Sequence, residues 1–160
     1  MYDKVKLFLV AGIIALLATT SAFAGGDVKK GKKVFRKCKS CHMVGEKAKK
    51  KVGPVLNNVF GATAGKNEKF AKKYSKAMKK AGEEGLVWND ATLTEYLTKP
   101  KAMIKKTKMA FKGLKKPKDI ENILAYLLQY SPDYDASKTD NAGMDKSTTE
   151  KTEEDTTKAE

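Results

Sequence analysis

Both cysteines and the only histidine of this 160-residue chain fall within five consecutive positions, Cys38-Lys39-Ser40-Cys41-His42. Two thiols at this spacing can each add to a vinyl group on neighbouring edges of a porphyrin. The histidine that follows can then offer an imidazole nitrogen to the iron. The pattern points to one covalently attached haem. A zinc site needs about four ligands, which this chain could supply only by recruiting a carboxylate. A dithiol oxidoreductase motif needs a strand–helix–strand setting, and no run of β-branched residues precedes Cys38. A Cys38–Cys41 disulfide stays open in an oxidising compartment. No catalytic dyad or triad stands out.

An iron held by His42 has a second face, and no second histidine exists to fill it. A thioether is the next candidate. Of six methionines, Met1 lies in an apolar leader and Met144 in an acidic tail. Met43 adjoins His42 and cannot easily reach the far face. Met78 and Met103 fall near predicted helices, where methionine is more often core filler. Met109 lies in a loop between Thr107-Lys108 and Ala110-Phe111 and is the candidate of choice. A vacant site or a lysine ligand are the other outcomes.

The elements that position these residues can be read from capping and periodicity. Asp27 can cap a helix whose apolar positions are Val28, Gly31, Val34, Phe35 and Cys38. Gly31 costs about 1 kcal/mol inside a helix, which makes sense if another helix crosses there. Residues 43–72 carry Gly45, Gly53, Pro54, Asn57, Asn58, Gly61 and Gly65, the chemistry of turns. A short helix is expected over 74–81, ended by Gly82 and Gly85. Asn89 or Asp90 can cap a helix bearing Leu93, Tyr96 and Leu97. Thr92 and Glu95 have capping-box spacing, and Pro100 marks the stop. Pro117 suits the first turn of a last helix, with Ile120, Ile123, Leu124, Leu127 and Leu128 on one face and an end near Ser131-Pro132. The expectation is an all-α single domain of three to five short helices, with long loops wrapped around one haem.

The two ends read differently from this body. Residues 1–24 have a basic start (Lys4, Lys6), an apolar run from Leu7 to Ala18 and a small-x-small site, Ala22-Phe23-Ala24. This is the pattern of a signal peptide cleaved after Ala24, placing the chain in the periplasm. An uncleaved anchor is the other outcome, although the run is shorter than the roughly 20 residues that span a bilayer. Residues 131–160 carry nine acids and four lysines with almost no apolar content, so a disordered acidic tail is expected. The domain is then 25–130. The chain's net charge of +14 concentrates on that body. It favours acidic protein partners, and weakly an anionic membrane, through salt-sensitive contacts. Export argues against nucleic acid, and a monomer is expected.

Taken together, the chain resembles class I c-type cytochromes, in particular the mitochondrial cytochrome c and bacterial cytochrome c2 group. The matching pieces are Gly31-Lys-Lys-Val-Phe35, Cys38 to His42, Gly53-Pro54-Val55-Leu56, Tyr74-Ser75, Trp88, Leu93-Thr-Glu-Tyr96-Leu97, Pro100, Thr107-Lys108-Met109 and Ile123-Leu-Ala-Tyr126. They run in the family's order over residues 26–130. The resemblance implies thioether bonds at Cys38 and Cys41 and axial ligation by His42 and Met109. It implies a Pro54 carbonyl accepting the imidazole N–H, and Tyr74 and Trp88 on a buried propionate. Thr107 would support the other propionate, Tyr96 would lie near the Met109 sulfur, and Gly31 and Phe35 would meet Ile123 and Tyr126. The implied function is electron transfer from a bc1-type donor to an oxidase-type acceptor. Docking would use Lys37, Lys39, Lys99, Lys101, Lys105, Lys106, Lys108 and Lys112. A haem enzyme such as a peroxidase, or a gas-binding protein with an open sixth site, is the alternative. The chain departs from the family pattern at Ala62, where many relatives carry arginine, and at Lys105-Lys106, where Pro-Gly is usual. Its 66–73 segment is slightly longer, and the acidic tail is extra.

Overall fold

The computed structural model describes residues 26–136. The leader with its cleavage site, Met1, Met144 and the tail from residue 137 lie outside the described residues. Among the described residues five α-helices follow one another: α1 Val28–Phe35, α2 Lys76–Glu83, α3 Asp90–Thr98, α4 Pro100–Met103 and α5 Pro117–Leu128. A single 3-10 turn spans Glu68–Phe70. Among the described residues there is no strand, only an isolated antiparallel bridge between Thr63 and Val87. The chain is all-α with long loops, as the periodicity predicts.

The terminal helices cross where glycine allows it. Asp27 caps α1 by accepting the Lys30 N–H at 2.9 Å, and its own N–H donates to Asn122 Oδ1 on α5 at 2.7 Å. A β-carbon on Gly31 would strike the Asn122 carbonyl oxygen and lie 2.6 Å from Tyr126 Cβ. The two backbones therefore touch at this point. One turn on, the rings of Phe35 and Tyr126 pack with centroids 5.4 Å apart. Gly31 thus meets Asn122 and Tyr126, one residue along from the expected Ile123. Ile123 is fully buried, in one core with Leu93, Leu97, Leu124 and Leu127.

Several boundaries differ from the sequence expectation for identifiable reasons. α2 starts after Ser75, whose hydroxyl accepts the Met78 N–H at 3.0 Å. Gly82 lies inside α2, because the Ala64 carbonyl presses where its side chain would be. The chain turns out at Gly85, with φ +95°. The capping box of α3 is Asn89 with Thr92, not Thr92 with Glu95. Asn89 Oδ1 accepts the Thr92 N–H at 2.9 Å, and Thr92 Oγ1 accepts the Asn89 N–H at 2.8 Å. Pro100 follows α3 but also opens α4, since its missing N–H has no role in a first turn. α5 ends at Leu128, short of Ser131, and turn bonds from Tyr130 and Ser131 to the Leu127 and Leu128 carbonyls continue it.

The chain stays packed past residue 130. Ser131 is buried, and the ring of Tyr134 lies 5.1 Å from that of Phe60. The Tyr134 ring and the Ser131 hydroxyl, which accepts the Phe60 N–H, hold these residues on the domain. The composition of 131–160 as a whole hides it.

Candidate functional site

The Cys38–His42 turn grows out of α1. The N–H groups of Cys41 and His42 both donate to the Cys38 carbonyl, at 3.0 and 2.9 Å. This coil carries the cysteines and the imidazole together off the end of the helix. Both cysteines are partly buried, and no disulfide joins them. Burial pushes the Cys38 thiol up to about 11, with the nearby Lys37 charge working the other way.

His42 is held on two sides. Its Nδ1 lies 2.8 Å from the Pro54 carbonyl. A carbonyl can only accept, so Nδ1 carries the proton and Nε2 keeps its lone pair. Burial lowers the imidazole's affinity for a second proton, and the Pro54 bond partly opposes this. The ring is thus neutral and offers one nitrogen outward. Gly53 lies flat against it, since a β-carbon there would sit 2.8 Å from both ring nitrogens. The Gly53 N–H donates to the Cys41 carbonyl at 2.9 Å. Asn57 closes the same loop, accepting the Gly45 N–H at 2.8 Å and donating to its carbonyl at 3.0 Å. The turn chemistry of Asn57 and Gly53 is legible in the sequence, but the groups they contact are not. The signal for Asn57 is its place twelve residues after a glycine, which no periodicity encodes.

The second half of the site is built on α3 and the loop after α4. Tyr96 and Trp88 are buried with ring centroids 4.9 Å apart. The hydroxyls of Tyr96 and Thr107 lie 3.1 Å apart, and Thr107 Oγ1 accepts the Met109 N–H at 3.3 Å. Thr107 thus joins Tyr96 to the methionine loop. The loop is anchored where the Leu114 N–H donates to the Leu97 carbonyl at 2.8 Å. Lys106, in place of the usual glycine, takes up φ +66°. Met109 is partly buried against the core, as is Met103, whereas Met78 is buried inside it. Tyr74 is half-buried with its ring edge-on to Phe70, and burial raises the phenol further from ionisation.

The eight lysines expected around the site are all exposed. Two are engaged: Lys37 pairs with Asp119 at 3.1 Å, and Lys108 donates to the Lys73 carbonyl at 3.1 Å.

Loops that close on a Cys-x-x-Cys-His turn within an all-α frame define a c-type cytochrome. The chain belongs to the cytochrome c family, whose model matches residues 28–131. It is 56% identical over 117 residues to cytochrome c2 of Afifella marina, covering 71% of this chain and 93% of that one. It is 50% identical over 103 residues to cytochrome c2 of Agrobacterium tumefaciens, covering 64% and 91%. The solved cytochrome c2 of Rhodospirillum centenum is 38% identical with a TM-score of 0.62, and the match covers 67% of this chain and all of that one. The protein carries one covalent haem c and works as a mono-haem electron carrier.

Proposed function

We propose that Cys38 and Cys41 bear the thioether bonds, and that His42 and Met109 are the axial ligands of a reversible one-electron site in the periplasm. The observation that carries this reading is the 2.8 Å contact of His42 Nδ1 with the Pro54 carbonyl, which leaves Nε2 as the free donor. The haem supplies the electron exchange. The residues hold it in place and keep its surroundings constant in both oxidation states. Pro54 orients the imidazole and makes it more basic. Trp88, a donor only, and Tyr74 would hydrogen-bond one propionate. If Tyr96 donates to Thr107, Thr107 has accepted twice and its own hydrogen is left for the other propionate. With both axial positions filled, the chain is a carrier and not an enzyme.

The donor is a bc1-type complex and the acceptor a terminal oxidase, met through the exposed lysines in small, fast, salt-sensitive encounters. The signal peptide is removed after Ala24. Two measurements test the reading. A reversible one-electron titration with no rapid uptake of carbon monoxide or peroxide is expected, and rapid uptake would favour an open-site enzyme. Partner reaction rates should fall as salt rises; rates indifferent to salt would remove lysine steering.

A further inference from the structure

We propose that residues 130–134 form a strap that holds the 58–62 loop, and through it Trp88, at the propionate end of the haem. Tyr134 is its pin, and the strap raises the redox potential. This rests on the placement of Trp88 at a propionate proposed above.

The strap grips the loop at successive points. The Asn58 N–H donates to the Tyr130 carbonyl at 2.7 Å, and the Phe60 N–H donates to the buried Ser131 hydroxyl at 3.3 Å. The Tyr134 ring packs on Phe60, and a β-carbon on Gly61 would lie 3.3 Å from Tyr134 Cδ2. The Tyr134 hydroxyl donates to Asp90 Oδ2 at the start of α3, but at 3.5 Å this bond is weak. The ring carries the pin. The loop passes the restraint on through two short bonds. The Gly61 N–H donates to the Trp88 carbonyl at 2.7 Å, and the Trp88 N–H donates to the Ala62 carbonyl at 2.9 Å. Loop and tryptophan therefore move as one piece.

Ala62 brings no charge to this end of the pocket, so no cation at that position can balance a buried carboxylate. The donors proposed above, Trp88 and Tyr74, then act best if water is kept out. Water close to the haem favours the more highly charged ferric form and lowers the potential. An open cleft of about 420 Å³ already lies between strap and loop, lined in part by Phe60, Ala62, Ser131 and Tyr134. Removing the Tyr134 ring enlarges it beside Ala62.

The test compares Tyr134→Ala and Tyr134→Phe in the haem-loaded full chain, reading the midpoint potential and the hydrogen exchange of the Phe60, Gly61 and Trp88 amides. In Tyr134→Ala the oxidised-to-reduced ratio at fixed poise should rise by up to about tenfold, or 59 mV for one electron. The three amides should exchange faster. Tyr134→Phe, which keeps the ring on Phe60, should stay within about twofold of the parent. An unchanged potential in Tyr134→Ala overturns the proposal, whatever the exchange shows. So does Tyr134→Phe behaving like Tyr134→Ala. Should Tyr134→Ala fail to fold, Ser131→Ala removes the acceptor for Phe60 and must also lower the potential; an unchanged potential there overturns it equally. A chain without covalent haem would defeat the functional reading instead, and unaltered exchange in Tyr134→Ala would still sink the strap.

Discussion

Gly31→Ala separates a glycine that is required from one that is incidental, because the two cases predict opposite signs. In an exposed helix, alanine gains about 1 kcal/mol over glycine. At Gly31 the added methyl strikes the Asn122 carbonyl oxygen and lies 2.6 Å from Tyr126 Cβ. One obstacle is backbone and the other the root of a side chain, so neither can swing away. α1 must back off α5, loosening the Phe35–Tyr126 ring contact and the Asp27 bond to Asn122. Overpacking of this kind costs about 1–3 kcal/mol, and here the upper part of that range applies. After the propensity gain, the net loss is about 1–2 kcal/mol. Guanidinium unfolding of the haem-loaded protein, followed by far-ultraviolet circular dichroism, reads this directly. With a slope of about 3 kcal/mol/M, the midpoint should fall by about 0.3–0.7 M without a change in slope. A midpoint equal to or above that of the parent would refute the close crossing.

Other outcomes follow from the same geometry. Asn89→Ala removes the side-chain oxygen that accepts the Thr92 N–H, leaving the backbone bond to Thr92 Oγ1, and should cost about 1 kcal/mol in the same assay; a loss below about 0.3 kcal/mol would mean the cap contributes nothing. Lys106→Gly relieves a left-handed residue and should stabilise the chain by up to about 1 kcal/mol, seen as a higher guanidinium midpoint. Asp27 is held below its ordinary value of 3.8, chiefly by the Lys30 N–H. Its contribution is therefore present above that value and is lost as pH falls through the lowered one. Asp27→Asn should reduce the acid loss of stability between neutral pH and pH about 3, measured by urea midpoints at the two values.

What could be read from sequence was what repeats or caps. The α5 stripe from Ile120 to Leu128 and the Asp27 cap have periods or fixed offsets, and the helices lie where these put them. Gly31 could be read as a crossing because its cost needed a reason. Thr92 was harder. Thr-x-x-Glu and Asn-x-x-Thr are both capping-box patterns, and only the turn at Asn89 decides between them. Asn57, Gly53 and Tyr134 were not legible as partners. Each acts across a gap in sequence on a backbone group or ring with no pattern of its own. Tyr134 was further hidden by its acidic neighbours, although a lone aromatic in such a stretch is itself a signal. Lys106 shows the reverse case: the substitution was visible, but the left-handed turn it must adopt was not.

The central claim is that His42 and Met109 would both ligate the haem iron. The oxidised spectrum tests it most directly, through the weak long-wavelength band that a thioether–iron bond produces. The band should be present in the parent protein and absent in Met109→Ala, with Met103→Ala retaining it. A parent without the band, or a Met109→Ala variant that keeps it, would contradict the assignment.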